Sequence, residues 1–410
     1  MRTMSRKFTT TRGIVLIAAS ALGALTLAAC TPPLPPDVLA AVAENQITCQ
    51  TGDQPVSVPD DFSGAMALVS SNLSGVCAEQ SLSDAPADPP TKVTVVDHAP
   101  TAEDIAAFTA ATSCPTAPIV VPAFAYPVSV AYNIIGLEGL ILPPDVIAGM
   151  LSGAITSWED PAIAAANEGV DLTGLPPITV LALEDPSGSV EAMTTWLSKE
   201  APTAWTAGPT GTLEAATTTY PTPADLMADL TITDGAIAVL PVFQAVNNAV
   251  PVASLPVQDV IVDPSDTGLA KVGAAATTVT VDAAGNISAT PAIGGVPTEG
   301  NLDLAAAKVV LGQDQEVLGW PVLGYAHLIV CDDPTDPLPL STAQYILRLA
   351  GQGGLETFGV TPLPEPIRIQ TFTPLKVQVN PDASVAPSAS TGADSSAAPS
   401  AAASPAPSAS

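Results

Sequence analysis

Between Pro118 and Leu197 the chain runs PIVVPAFAYPVSVAYNIIGLEGLILPPDVIAGMLSGAITSWEDPAIAAANEGVDLTGLPPITVLALEDPSGSVEAMTTWL, and this stretch constrains the fold more than any other. It reads as an apolar strand, a helix opening at Pro143-Pro144, a tryptophan turn, a second strand, and a loop, Asp185-Pro186-Ser187-Gly188-Ser189, that opens another helix. A strand that delivers small residues to a helix N-terminus leaves backbone N–H groups pointing outward, the ordinary way a protein builds an anion acceptor. The same three residues are also ordinary helix-capping residues, so both readings stand at this point.

Residues 1–29 read as a secretory signal peptide: Arg2, Arg6, Lys7 and Arg12, then an apolar run from Gly13 to Leu27. The run closes on Leu27-Ala28-Ala29-Cys30, the lipobox pattern in which Cys30 becomes the lipidated first residue of the exported chain. A membrane-spanning anchor is the alternative, and the short run and the cysteine ending argue against it. All 40 acidic residues but only seven of the 11 basic ones lie beyond residue 29, leaving the exported chain at a net charge of −33. Such a chain is a poor partner for nucleic acid or an anionic membrane surface, so the lipid on Cys30 would be its membrane attachment.

Four further cysteines, Cys49, Cys77, Cys114 and Cys331, are an even number in an exported chain and suggest two disulfides among three possible pairings. Cys49–Cys77 with Cys114–Cys331 is the pairing expected here, since the first is close in sequence and the second would clamp distant segments. The wide spacings and the presence of only two histidines, His98 and His327, argue against zinc. No cofactor is expected, and no nucleophilic triad or metal constellation points to an enzyme.

Short strands alternating with helices predict an α/β fold with mainly parallel sheets. Strands are expected at Ile47–Gly52, Lys92–Val96, Ile119–Val121, Val128–Asn133, Gly235–Pro241, Val279–Ala284 and Trp320–Val330, with an extended segment over Val252–Val262. Helices are expected at Phe62–Cys77, Thr101–Thr112, Pro143–Ser152, Ser189–Lys199, Pro223–Leu230, Leu302–Gly312 and Ser341–Gly351. Thr101 and Asp104 have capping-box spacing. Ser83–Pro90 reads as a loop, and from Ala383 to Ser410 nearly every residue is Ala, Ser or Pro, a composition that cannot bury a core.

Several of these pieces, in order, resemble the phosphate-binding component of the bacterial phosphate-specific ABC transporter, a type II periplasmic-binding-protein fold. Val128-Ser-Val-Ala-Tyr-Asn133 resembles the family's P-V-A-Y-N strand, and Leu151-Ser-Gly-Ala-Ile-Thr-Ser-Trp-Glu-Asp-Pro-Ala-Ile163 its G-K-I-T-x-W-N-D-P-x-I turn. Ser187-Gly188-Ser189, Gly235-Ala-Ile-Ala-Val-Leu240, Trp320 to Val330 and Phe358-Gly-Val-Thr-Pro-Leu-Pro364 match further motifs, so the resemblance covers about 93–364. It implies a two-lobed protein with its ligand in a cleft between lobes. Residues 46–126 and 318–381 would form lobe one and 127–317 lobe two, between a tether at 30–45 and a disordered tail at 382–410.

The resemblance also implies a monomer that binds phosphate or a related small oxyanion and delivers it to an ABC permease. Its ligand contacts fall on Ser187, Gly188 and Ser189, with Asp97 or His98 in Asp97-His98-Ala99-Pro100 at the acceptor position. The family's arginine falls on Leu183 and its histidine on Ala182, and no lysine or arginine lies between Lys92 and Lys199. Ser83-Asp84-Ala85-Pro86 spells the same acceptor motif but is set aside because no strand precedes it. The alternative function is a solute-binding domain that has lost high-affinity phosphate binding and serves as a surface interaction or sensing module.

Overall fold

The computed structural model describes residue 44 and residues 46–257, 260–275, 277–290 and 319–377. The expected signal peptide, Cys30, almost all of the expected tether, the helix expected at Leu302–Gly312 and the expected 382–410 tail lie outside the described residues.

The chain opens with β1 (Gly52–Ser57), a 3₁₀ turn (Asp60–Phe62), α1 (Ala65–Ser74), β2 (Gln80–Ala85), β3 (Val93–Val96) and α2 (Ala102–Thr112). Next come β4 (Ile119–Asn133), α3 (Pro144–Leu151), α4 (Pro161–Ala166), β5 (Thr179–Leu183), α5 (Gly188–Glu200) and β6 (Thr218–Tyr220). Then follow α6 (Pro223–Leu230), β7 (Ala236–Pro241), α7 (Val242–Asn247), β8 (Leu255–Val257), β9 (Val260–Val262) and α8 (Thr267–Ala275). The last described elements are β10 (Thr278–Val281), β11 (Ile287–Thr290), β12 (Leu323–Val330), α9 (Leu338–Ile346), α10 (Leu349–Phe358) and α11 (Glu365–Thr371).

One eight-stranded sheet, ordered β2-β1-β3-β12-β4-β7-β5-β6, organises these elements. Both flanks are parallel: β1 with β2 and β3, and β5 with β6 and β7. Antiparallel pairing enters this sheet only around β12 and β4. The central strands are continuous apolar runs because both faces are covered, as parallel sheets require.

β4 is the axis. The two strands expected at Ile119–Val121 and Val128–Asn133 are one strand of 15 residues, buried except at its ends. Its first part, through Pro127, pairs with β12, and from Val128 onward it pairs with β7. The partner changes at a proline, which has no N–H to give to a ladder. Opposite Pro122 the register slips between Ala326 and His327, so Ala123 bulges out of the ladder. The Ala123 carbonyl freed there accepts a hydrogen bond from the buried Gln352 amide at 3.0 Å. Pro127 thus divides the sheet into two half-sheets, one from β2 to the first part of β4 and one from the second part of β4 to β6. At this junction the fully buried Trp320 donates from its indole to the Val128 carbonyl at 2.9 Å.

Three further expectations need correction. The first strand is Gly52–Ser57 rather than Ile47–Gly52; its buried side is Gln54, Val56 and Val58, which alternate where the earlier segment does not. Ser83–Ala85 is not loop but the end of β2, so the Ser83-Asp84-Ala85-Pro86 motif does sit on a strand. Asp84 is used there to cap α1, accepting the Gly64 and Met66 N–H groups at 2.9 and 3.2 Å. The single helix expected at Ser341–Gly351 is two, α9 and α10, broken at Leu347-Arg348. The extended segment expected at Val252–Val262 holds β8 and β9, paired antiparallel.

The disulfides pair as Cys49–Cys77 and Cys114–Cys331, with Cα–Cα separations of 5.4 and 5.6 Å. The first ties the chain ahead of β1 to the end of α1; the second ties the end of α2 to the end of β12. At the other end of the described chain, buried Arg368 binds Glu44 and Glu365, tying residue 44 to α11.

Candidate functional site

α5 follows β5 in one half-sheet, and its N-terminus points at the loop after β3 in the other. Ser187 caps the helix, its Oγ accepting the Ser189 N–H at 3.2 Å, and both serines are buried. Thus the capping reading of this loop holds. The Gly188 N–H is taken from across the sheet, where it donates to Asp97 Oδ2 at 2.7 Å. A carboxylate oxygen therefore occupies the position at which a helix N-terminus receives an anion, where charge and dipole favour it.

Asp97 is held from three sides. Its other oxygen, Oδ1, accepts from His98 Nδ1 at 2.8 Å, and His98 Nε2 donates to Asp104 Oδ2 at 3.1 Å. Asp104 is fixed by the expected capping box, accepting the Thr101 N–H at 2.7 Å while Thr101 Oγ1 accepts the Asp104 N–H at 3.2 Å. The Tyr126 hydroxyl, from β4, donates to the Asp97 carbonyl at 2.6 Å. With Asp97 and Asp104 both accepting from it, the His98 imidazole is pushed up to about 9, against the opposing effect of burial.

The approach of the two half-sheets is close enough to require glycine. A Cβ at Gly188 would run into the Asp97 carbonyl and the Tyr126 hydroxyl, and one at Gly324 would enter the Tyr126 ring. A second polar contact crosses the same gap: Gln244 Nε2, on α7, donates to Asp61 Oδ1 at 2.6 Å. Asp61 is buried next to Phe62, whose ring packs edge-on against Phe124 and Tyr126. Burial pushes the Asp61 carboxyl up to about 7, the nearby charge of Asp97 adding to it and the Gln244 hydrogen bond opposing it. Burial, with the charges of Asp97, Asp61 and Glu191, also raises the Tyr126 phenol well above its ordinary value, so its hydroxyl stays a donor.

Beside the Asp97–Gly188 contact lies a cavity of about 180 Å³ lined by Asp97, His98, Gly188, Glu191, Thr195 and His327, among others. At about 30 Å³ per water, that is room for an anion of a few heavy atoms. His327 belongs to the wall: Nδ1 donates to the Tyr325 carbonyl at 3.1 Å and Nε2 accepts the Ala289 N–H at 3.3 Å. Burial lowers its imidazole to about 4, so it stays neutral and structural, as its mid-strand position suggested. Among the described residues no group of three or more His, Cys, Asp or Glu is arranged to hold a metal ion.

No family model matches the chain. It is 26% identical over 243 residues to the phosphate-binding protein PstS 2 of Mycobacterium tuberculosis, over 58% of this chain and 61% of that protein. Over a shorter span of 82 residues it is 37% identical to the phosphate-binding protein PstS 3 of Mycobacterium leprae, 20% of this chain and 22% of the relative. The match to the M. tuberculosis relative thus spans less than two thirds of that protein's length.

Among solved structures, a high-affinity periplasmic phosphate-binding protein (PfluDING) with phosphate bound superposes with a TM-score of 0.52 at 18% identity, over 78% of this chain and 93% of the other. A human phosphate-binding apolipoprotein gives 0.52 at 19% identity, over 78% and 94%. The chain is thus similar in sequence to the mycobacterial phosphate-binding proteins and in fold to the solved ones. Its fold is the two-lobed α/β fold of periplasmic-binding proteins, built on the two half-sheets described above.

Within that fold the structure brings Asp97, His98, Ser187, Gly188 and Ser189 to one place. At the open acceptor position, Asp97 faces the helix N-terminus while His98 turns back to Asp97 and Asp104. Glu184, Asp185 and Pro186 are exposed, and Leu183 ends β5. Trp158 is fully buried and donates to the Gly235 carbonyl at 3.3 Å, and Asp160 caps α4, so that turn is architectural. Asp61, Tyr126 and Gln244 were not anticipated. A first strand placed five residues early hid the Pro59-Asp60-Asp61-Phe62 turn that carries Asp61, and Tyr126 reads simply as one residue of an apolar run.

Proposed function

We propose that this protein is the extracytoplasmic, solute-binding component of an ABC importer, anchored through lipidated Cys30 and binding phosphate or a related small oxyanion. The observation that carries the reading is the N-terminus of α5, whose Gly188 N–H already receives a carboxylate oxygen, with an anion-sized cavity beside it. A phosphate oxygen makes the same demand on that N–H group as the Asp97 oxygen does. In this reading Ser187, Gly188 and Ser189 hold the ligand, and Asp97 and His98 form the opposing wall. His98, cationic up to about pH 9, supplies positive charge at this site.

The lobes would be 46–126 with 318–381, and 127–317, turning near Pro127, and a single chain would deliver ligand to the permease. Without an arginine, binding lacks a charge-assisted contact worth roughly 1.5–3 kcal/mol per bond, so affinity is expected to be modest. Isothermal calorimetry with inorganic phosphate at low ionic strength tests the reading. Saturable heat that Ser187→Ala/Ser189→Ala reduces supports it, and no heat up to millimolar phosphate overturns it.

A further inference from the structure

We infer that Asp97 is an internal counter-ligand: its contact with Gly188 latches the two half-sheets together, and an incoming oxyanion must displace it. The inference rests on the proposed oxyanion site and adds how that site is regulated. Asp97 leaves β3 in the first half-sheet, and its Oδ2 takes the Gly188 N–H of α5, which belongs to the second, at 2.7 Å. It reaches that position prepared rather than by chance. His98 pins Oδ1, Asp104 pins His98, and the Tyr126 hydroxyl pins the Asp97 backbone carbonyl.

Gly188 supplies the geometry, because any side chain there would strike the Asp97 carbonyl. The Asp61–Gln244 contact closes the same gap from α7. A carboxylate of the protein thus bridges the half-sheets at the N–H that an oxyanion would take, and His98, the cation at this site, is already engaged by two carboxylates.

This arrangement has a defined cost for the ligand. A site whose competent form is only partly populated shows an apparent affinity reduced by that fraction. Asp97 contributes twice, by filling the N–H and by leaving a negative charge near any anion that replaces it. Removing the carboxylate is thus expected to strengthen anion binding, the reverse of what a direct ligand contact would do.

Small-angle X-ray scattering of the ligand-free protein and phosphate calorimetry, on wild type, Asp97→Ala and Asp97→Asn, test this. The expected result is a larger radius of gyration for empty Asp97→Ala than for empty wild type, and phosphate binding on the order of tenfold tighter. Asp97→Asn, which keeps an acceptor oxygen but not the charge, is expected between the two and carries the comparison if Asp97→Ala fails to fold. An unchanged radius in both variants overturns the latch. So does weaker phosphate binding by Asp97→Ala than by wild type, which leaves the proposed function standing with Asp97 as a ligand contact. An enlarged empty Asp97→Ala with no phosphate binding by any of the three proteins supports the latch and overturns the proposed function.

Discussion

At the scale of single residues, His98 and Asp61 set how the protein responds to pH, and both act in the same direction. His98 is raised from 6.5 to about 9 by Asp97 and Asp104, so its ion pairs contribute fully below about 6.5 and are lost as pH rises through about 9. Asp61 is raised from 3.8 to about 7 by burial, so folding favours its protonated form; that contribution is complete below 3.8 and is lost as pH rises through about 7. Denaturant unfolding between pH 4 and 10 is expected to show stability falling in two steps, the first removed by Asp61→Asn and the second reduced by Asp104→Asn. NMR of the His98 ring should find it protonated at pH 7.5. A midpoint near 6.5 would mean that the clamp by Asp97 and Asp104 does not form in solution.

Among the elements, β4 and β12 position the site, because Tyr126 stands on one and Gly324 on the other at paired positions. Gly324→Ala forces the Tyr126 ring aside and with it the hydroxyl that holds the Asp97 carbonyl. Overpacking of this kind costs about 1–3 kcal/mol, and thermal unfolding of this variant should show a loss in that range, whereas Gly353→Ala, with open space at its Cβ, should show none. Much of this scaffold is legible in the sequence, because helix starts and buried strands announce themselves locally. The prolines ahead of α3 and α6, the Thr101–Asp104 box and the apolar run of β7 each fix an element from within a few residues.

The candidate site is legible only in part. Ser187-Gly188-Ser189 and Asp97-His98 are visible as motifs, but that they meet depends on the pairing of β3, β12, β4, β7 and β5, which join segments far apart in the chain. Asp61 and Gln244 carry no motif at all, and their partnership across 183 positions of sequence is a product of tertiary packing. The fusion of two expected strands into β4 was equally hidden, since Pro122 and Pro127 read as breaks until a bulge and a change of partner accommodate them.

Over the whole molecule, the fold is held by links between segments distant in sequence, as suits a sheet whose central strands come from opposite ends of the chain. Cys114–Cys331 joins positions 217 residues apart, and Cys49–Cys77 positions 28 apart. If chain entropy governs, the longer link stabilises more, within a range of roughly 2–5 kcal/mol for a native disulfide. Urea unfolding of Cys114→Ser/Cys331→Ser is therefore expected to show a larger loss than Cys49→Ser/Cys77→Ser. The reverse order would place the main constraint near β1.

In the proposed reading these features serve one arrangement, an anion acceptor at the start of α5 shared between a carboxylate of the protein and an oxyanion from outside. The backbone amide of Gly188 reports on it directly. In an NMR titration with inorganic phosphate at low ionic strength, that amide is predicted to shift progressively and to saturate, as its hydrogen bond passes from Asp97 to the ligand. A Gly188 resonance that stays fixed up to millimolar phosphate would contradict the assignment of this site.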